Sequence, residues 1–211
     1  MKKAKNAYLD IIIKNFIENK KTYLLLLIFL FIGIVLGVFF INNADESQRN
    51  EVSEYINNFV STLKTNNNID KNELIKVSIK RNILMGIILW FIGSTIIGLP
   101  LIYFFVVYKG LCIGYTMAGA MIALGTGRGV VFCIGSILFQ NIIFIPALFL
   151  IAVSSTKLCY AIIKNRSKEN IKLELVKHCI LSIMSILLFM LSSLLEVYIS
   201  TNLLTIITKY I

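Results

Sequence analysis

Few side chains of this sequence have the type and position that catalysis or transport would need. Glu196 is the one acidic residue inside an apolar run, near the run's outer end, and it is either an interfacial carboxylate or a proton or ion site. His178, the only histidine, stands at the start of the same run and predicts an interfacial role. Gly125–Gly129 lacks the Lys-Ser/Thr pair of a phosphate-binding loop, so it predicts a tight turn. No nucleophile stands with a base, and we predict no catalytic site.

The four cysteines predict neither a disulfide framework nor a metal site. They are spaced singly, in or beside apolar runs, and none belongs to a CxxC pair: Cys112, Cys133, Cys159 and Cys179. A lone cysteine in such a position behaves as a small hydrophobic residue. We therefore predict no metal and no cofactor.

Two amides and two stripes of small residues predict close helix–helix contacts. Gln140 and Asn141 lie near the middle of an apolar run, where an unpaired amide is costly. They predict hydrogen bonds to a neighbouring helix, either within the bundle or on another protein's membrane span. The small residues that let helix backbones approach are Gly33, Gly37, Gly110, Gly114 and Ala118. Their spacing leaves open whether the neighbour belongs to the same chain, and a homo-oligomer is possible.

The amino-acid composition indicates that these residues belong to a membrane protein. Of the 211 residues, 57% are hydrophobic and only 15% are charged, with a mean hydropathy of +0.82. A soluble domain cannot hide that much apolar surface, whereas lipid accepts it. The net charge of +10 comes from Lys and Arg at the ends of apolar runs, where they orient spans and meet lipid headgroups. This predicts membrane lipids as partners and no nucleic-acid binding.

The alternation of apolar and polar segments predicts an all-α, polytopic membrane protein with about five transmembrane helices. A single integral membrane domain covers residues 1–211. Its predicted parts are a cytoplasmic amphipathic helix (1–21), TM1 (22–41), an extracytoplasmic helical insert (42–81), TM2 (82–108), TM3 (110–125), TM4 (130–154), a cytoplasmic basic segment (157–178), TM5 (179–200) and a tail (201–211).

Orientation follows from the density of basic residues. Residues 1–21 and residues 157–178 each carry six basic residues. The insert also carries six basic residues, but they are spread over forty positions, so its density of positive charge is lower. The positive-inside rule places the two dense segments in the cytoplasm, so the N-terminus is inside and the C-terminus outside. The first helix lies either on the inner leaflet or on the bundle itself. The predicted TM3 is short and either crosses the membrane or is re-entrant.

The polar insert contains an amphipathic helix that we predict to bind a partner. Its apolar stripe consists of Val52, Tyr55, Ile56, Phe59, Val60 and Leu63, at steps of three and four residues. A short helix is marginal in water, so the stripe must be buried. The outer leaflet, the next helix near Leu74 and Ile75, and a partner protein are the three alternatives. Gln140 and Asn141 are the second hypothetical partner contact.

Several strings, taken in order and spacing, resemble the stage II sporulation protein M family of endospore-forming bacteria. They are Phe39-Phe40-Ile41-Asn42-Asn43 closing the first span, Asn82 opening the second, Gly93 through Gly98 to Pro100, Lys109-Gly110-Leu111-Cys112-Ile113-Gly114-Tyr115-Thr116, and Gln140-Asn141-Ile142-Ile143-Phe144-Ile145-Pro146. The chain length, the five-span layout and the polar insert agree with this family over essentially the whole sequence.

The resemblance implies a non-enzymatic role in sporulation. Members of this family act in engulfment, in the septal membrane of the mother cell. There they anchor a complex of peptidoglycan hydrolases that contains the stage II sporulation proteins D and P. The alternative from the residues themselves is a small transporter or permease subunit, whose helices are broken at Pro100 and Pro146 around a substrate.

Overall fold

The computed structural model describes residues 17–65, 71–164 and 168–207, and these form helices without a strand among them. This confirms the predicted all-α class. The helices are α1 (Lys20–Asn42), α2 (Glu46–Thr65), α3 (Lys71–Gly93), α4 (Gly98–Leu124), α5 (Thr126–Ile163, with a π-helical segment at Ile134–Leu138) and α6 (Lys168–Leu195, continued by the π-helical segment Glu196–Ser200 and the turns Thr201–Ile207). Most of the predicted cytoplasmic amphipathic helix lies outside the described residues.

Four of these helices are long and apolar enough to cross a membrane: Lys20–Asn42, Gly98–Leu124, Thr126–Ile163 and Asn170–Ile207. Their outward faces carry large apolar side chains, such as Phe31, Phe104 and Leu187, each about 60–70% exposed. Water would make such faces costly, whereas hydrocarbon makes them favourable. The apolar core lies between the helices and includes Phe144 and Phe189, whose rings stack with centroids 4.5 Å apart.

Helices α1 and α4 pack side by side and run in the same direction. A Cβ built at Gly33 or Gly37 overlaps the backbone of α4 at Val107 and Leu111, and one built at Gly110 overlaps Leu30 of α1. The two small-residue stripes therefore face each other within one chain. Because glycine has no Cβ, the two backbones approach more closely than any larger side chain would allow. Gly114 belongs to the same contact, and Ala118 is buried one turn farther along α4.

The break between α3 and α4 lies at residues 94–97, which corrects the predicted boundary at Lys109. Residues 82–93 of the predicted TM2 belong to α3, and α4 runs unbroken through Lys109. Two hydrogen bonds stabilise the break, from Ser94 Oγ to the Trp90 carbonyl at 2.9 Å and from the Gly98 N–H to Thr95 Oγ1 at 3.0 Å. Pro100 follows in the first turn of α4, where a missing N–H costs nothing.

The broken helix at Pro146 that the transporter alternative implies is not observed. Pro146 lies inside α5, which continues beyond it to Ile163. Helices α5 and α6 begin at Thr126 and Lys168, so they extend beyond the ranges predicted for TM4 and TM5. Helix α6 continues to Ile207 through most of the predicted tail, and residues 208–211 lie outside the described residues.

His178 is fully buried, which corrects its predicted interfacial position. It lies inside α6 because that helix begins ten residues earlier. One ring nitrogen is 2.8 Å from Ser154 Oγ on α5, and the other is 3.3 Å from the Trp90 carbonyl on α3. Both polar atoms of the ring therefore have partners, as a buried imidazole requires. This histidine ties three helices together at one end of the bundle.

Candidate functional site

A charged side-chain cluster connects α3, α5 and α6 at the level of the second π-helical segment. Glu196 opens that segment, and its carboxylate accepts hydrogen bonds from Ser78 Oγ at 2.5 Å and from Gln140 Nε2 at 2.9 Å. Nη2 of Arg81 lies 3.1 and 3.2 Å from the two carboxylate oxygens. We call Ser78, Arg81, Gln140 and Glu196 the ionic cluster. A carboxylate with this many donors is held in one place.

A second cation lies near the ionic cluster, in the middle of α4. The ammonium of Lys109 sits 4.3 Å from the centroid of the Phe144 ring, a cation–π contact inside the bundle. Among the described residues, no carboxylate forms an ion pair with Lys109. The region thus holds the cations Arg81 and Lys109 against the single anion Glu196. Charges in such positions mark functional sites or structural ties in membrane proteins.

Asn82 extends the polar contacts between α3 and α6. It is 1% exposed, and its Nδ2 lies 2.7 Å from Ser193 Oγ and 3.3 Å from the Phe189 carbonyl. Ser192 donates to the Gln140 carbonyl at 2.9 Å and links α6 to α5. Serine and amide contacts of this kind are typical of packed membrane helices.

Sequence reasoning singled out Gln140 and Glu196 but missed Ser78, Arg81 and the neighbouring Lys109. Arg81 was assigned to the polar insert and Lys109 to the end of a span, because a charge is the usual sign that a span has ended. One signal could have revealed them: polar residues at steps of three and four mark one face of each helix. On α3 these are Ser78, Arg81 and Asn82, and on α6 they are Ser192, Ser193, Glu196 and Ser200.

Three members of the ionic cluster, Ser78, Arg81 and Glu196, line the floor of a groove of about 530 Å³ between α2, α3, α4, α5 and α6, which we call the α2 groove. Its walls are mainly apolar and aromatic, and its rim carries Tyr55 and Phe59 of α2. Both π-helical segments contribute to it, through Ser136 and Glu196 among others. Such segments are rare and occur often at functional sites.

Ser200, at the end of the second π-helical segment, adds an unsatisfied polar atom to the floor. Its side chain is 3% exposed, and its Oγ has no hydrogen-bond partner among the described residues. The α2 groove is therefore apolar along its walls and polar at its base. This combination suits a ligand or partner with an apolar body and a few polar groups.

The apolar stripe of α2 is split between the protein's interior and this groove. Ile56, Val60 and Leu63 are buried against the protein's own bundle, in a cluster that contains Ala120 and Phe132. This burial site was not among the three alternatives predicted from the sequence. Val52 borders the same cluster. A short helix gains its stability from such packing.

The two aromatic residues of the stripe remain accessible. Tyr55 is 75% exposed and Phe59 is 41% exposed, with the Phe59 ring edge-on to Phe132 at 6.3 Å. The predicted partner amides make contacts within the chain. Gln140 joins the ionic cluster, and Asn141 donates to the Ile137 carbonyl of its own helix at 2.8 Å.

The family model of stage II sporulation protein M matches residues 26–201 of the 211. The chain belongs to this family. The resemblance drawn from the sequence is thereby confirmed, and every string that carried it lies within the matched residues. No curated protein and no solved structure gives a match.

Membership of the stage II sporulation protein M family, together with the apolar helices, makes this chain a sporulation-related membrane protein. The family is not a known enzyme family. The matched residues include the whole ionic cluster, the α2 groove down to Thr201 and the paired glycine stripes. The absence of a catalytic group, a metal and a cofactor in this chain stays a prediction.

Proposed function

We propose that this protein is a non-enzymatic membrane scaffold that anchors a peptidoglycan-degrading complex during engulfment. The observation that carries the proposal is the α2 groove, with two accessible aromatic residues on its rim. Exposed tyrosine and phenylalanine beside an apolar groove are typical of protein–protein contacts. The family resemblance implies the stage II sporulation proteins D and P as partners.

The scaffold has five crossings with the N-terminus in the cytoplasm and α2 outside. Helix α3 runs antiparallel to α6 from the contact of Ser78 with Glu196 to the contact of Trp90 with His178, which is about 18 Å of helix axis. This supports α3 as a crossing beside the four helices of sufficient length. The parallel packing of α1 and α4 also requires a return through the membrane between them.

A thiol-labelling experiment tests this topology. Single cysteines replace Asn58 of α2 and Lys172 of α6, both exposed, after the four native cysteines are changed to alanine. A membrane-impermeant reagent added to intact cells is expected to label position 58 and to leave position 172 unlabelled. If both positions are labelled, or if neither is labelled until the cells are lysed, the two positions lie on the same side of the membrane. The number of crossings would then be even and not five.

The docking surface is tested by removing the aromatic rim. Replacing Tyr55 and Phe59 together by serine is expected to reduce co-purification of the hydrolase proteins by roughly tenfold or more at equal membrane abundance. Tyr55→Ser alone separates binding from stability, because that ring is mostly exposed, whereas Phe59 also packs on Phe132. If the double variant recruits the hydrolase proteins fully, the docking surface lies on the membrane spans and not on α2.

Glu54→Ser is the matched control for this experiment. Glu54 precedes Tyr55 on the same helix and is exposed, but it does not border the α2 groove. Its replacement is expected to leave both abundance and co-purification unchanged. An equal loss in the control would show that any change in α2 disturbs recruitment, and the rim would lose its special role.

The ionic cluster favours the second candidate, a small transporter or permease subunit, since intramembrane charges often serve transport. Such a protein needs a water-filled polar cavity at the bilayer midplane. The grooves beside α3 and α4 and beside α1, α4 and α5 are lined almost entirely by apolar residues. Glu196 is engaged by three donor residues, and the helix continues past Pro146. The scaffold is therefore our first choice.

A further inference from the structure

Helices α3 and α4 form a hairpin, and a groove of about 430 Å³ lies between them on the surface of the bundle. This groove has no part in the proposed scaffold function. We call it the hairpin groove. Its lining is apolar except at one end, where Arg81 stands. Leu84, Ile88 and Phe104 border it and are 55%, 47% and 69% exposed. Residues 82–93 carry no charged side chain, so this exposed face suits hydrocarbon rather than water.

The shape of the hairpin groove fits one extended hydrocarbon chain. It extends along α3 from Arg81 to Ile92, about 16 Å of helix axis. A volume of about 430 Å³ suits an extended acyl chain better than a helix, which is roughly 10–12 Å across with its side chains.

Arg81 presents a free edge at the top of the hairpin groove. Only Nη2 of its guanidinium contacts Glu196, and neither Nε nor Nη1 has an acceptor among the described residues. The side chain is 55% exposed. The free edge carries N–H donors, which an oxygen ligand would satisfy. A phosphate matches it best, since guanidinium binds phosphate through two parallel hydrogen bonds.

The surrounding charge favours an anionic ligand. Arg81 and Lys109 outnumber Glu196 in the bundle, so a single negative charge at Arg81 balances the site. Between residues 71 and 81, helix α3 carries four basic residues against Glu73 alone. Basic segments beside a bilayer attract anionic headgroups.

We propose that the hairpin groove is a binding site for an anionic phospholipid. The phosphodiester binds the free edge of Arg81, and one acyl chain lies along the apolar channel between α3 and α4. The site is separate from the α2 groove, to which it is joined only through Arg81. It does not depend on the scaffold function, because it needs only α3 and α4 in a bilayer.

Lipid titration of the purified, delipidated full chain in mild detergent, followed by native mass spectrometry, tests the proposal. Phosphatidylglycerol is expected to bind roughly tenfold more tightly than phosphatidylcholine. Arg81→Gln is expected to abolish this preference. Ile88→Trp fills the channel without touching Arg81 and is expected to weaken both lipids, which keeps the test valid if the Arg81 variant is unstable.

Two matched controls separate a specific site from general lipid contact. Lys76→Gln removes a basic residue of the same helix that does not border the hairpin groove, and Leu187→Trp places the same bulky ring on a lipid-facing position of α6. Both are expected to keep the preference for phosphatidylglycerol.

Three results would overturn the proposal. Equal affinity for the two lipids in the unmodified protein would indicate non-specific annular lipid. Competition by inorganic phosphate as effective as that by the lipid would indicate an ion site without a chain. Loss of a second protein copy from the spectrum with Ile88→Trp, without a change in lipid binding, would identify a protein occupant.

Discussion

Replacing Glu196 with leucine is expected to lower the free energy of unfolding by roughly 1–3 kcal/mol. The carboxylate is the common acceptor for Ser78, Arg81 and Gln140, which come from two other helices. Without it, Arg81 and Lys109 remain as two cations in one region of the bundle with no anion between them. The Arg81–Glu196 pair contributes little of this loss, because Arg81 is 55% exposed; most of it comes from the donors of Ser78 and Gln140 that lose their acceptor. Unfolding in detergent, followed by circular dichroism, measures the change.

Companion variants show whether charge or hydrogen bonding carries this stability. Glu196→Gln keeps the size and one acceptor oxygen but removes the charge, so an intermediate loss is expected. Replacing Arg81 and Glu196 together by leucine should restore part of the stability, because Arg81 is then no longer left without its carboxylate. Glu174→Gln is the control, since Glu174 pairs with an exposed lysine one turn away, a contact worth only about 0.3–0.5 kcal/mol. Equal stability of the Glu196 and Glu174 variants would contradict a structural role for the ionic cluster.

Enlarging the glycines between α1 and α4 is the second change with a large expected effect. Gly33→Ala and Gly110→Ala each place a methyl group against the backbone of the other helix, with no flexible side chain that could move aside. Overpacking of this kind costs roughly 1–3 kcal/mol. Leucine at either position is expected to separate the two helices altogether. The melting temperature in detergent and protease resistance of α1 measure the effect.

Gly127→Ala is the matched control for the glycine variants. Gly127 lies in the first turn of α5, and a Cβ built there meets nothing within 4 Å. Alanine at this position is expected to be neutral or slightly stabilising, since it restricts the unfolded chain. If Gly33→Ala and Gly110→Ala were as stable as Gly127→Ala, the close contact of α1 with α4 would be absent from the protein in solution.

The sequence predicts those parts of the fold that depend on long uniform patterns. The unbroken apolar run in α1 and the three- and four-residue steps in α2 each define a helix without help from the rest of the chain. The small-residue stripes were also recognisable, although only the structure shows that they pair with each other. These features are local or repeat at helical spacing, so they can be read from one segment at a time.

The ends of the helices and the ionic cluster depend on contacts between distant parts of the chain. They could therefore not be predicted from one segment at a time. Lys109 resembles the end of a span until the ring of Phe144, which is 35 residues away in sequence, covers its ammonium group. His178 resembles an interfacial residue until Ser154 and Trp90 are known to satisfy its ring. A polar residue inside a membrane bundle is stable only if its partner is present, and the partner lies on another helix.

The parallel pairing of α1 with α4 has a consequence for how the protein is made. The ribosome adds about 77 residues between Gly33 and Gly110, which takes roughly 4–15 s at ordinary rates of synthesis. During this interval α1 has been translated, but the surface of α4 that it will contact has not. Until α4 is inserted, the glycine face of α1 lacks its partner and can bind another membrane helix that carries small residues. Insertion of α4 beside α1 is therefore the step at which an insertase or membrane chaperone would protect the nascent chain most.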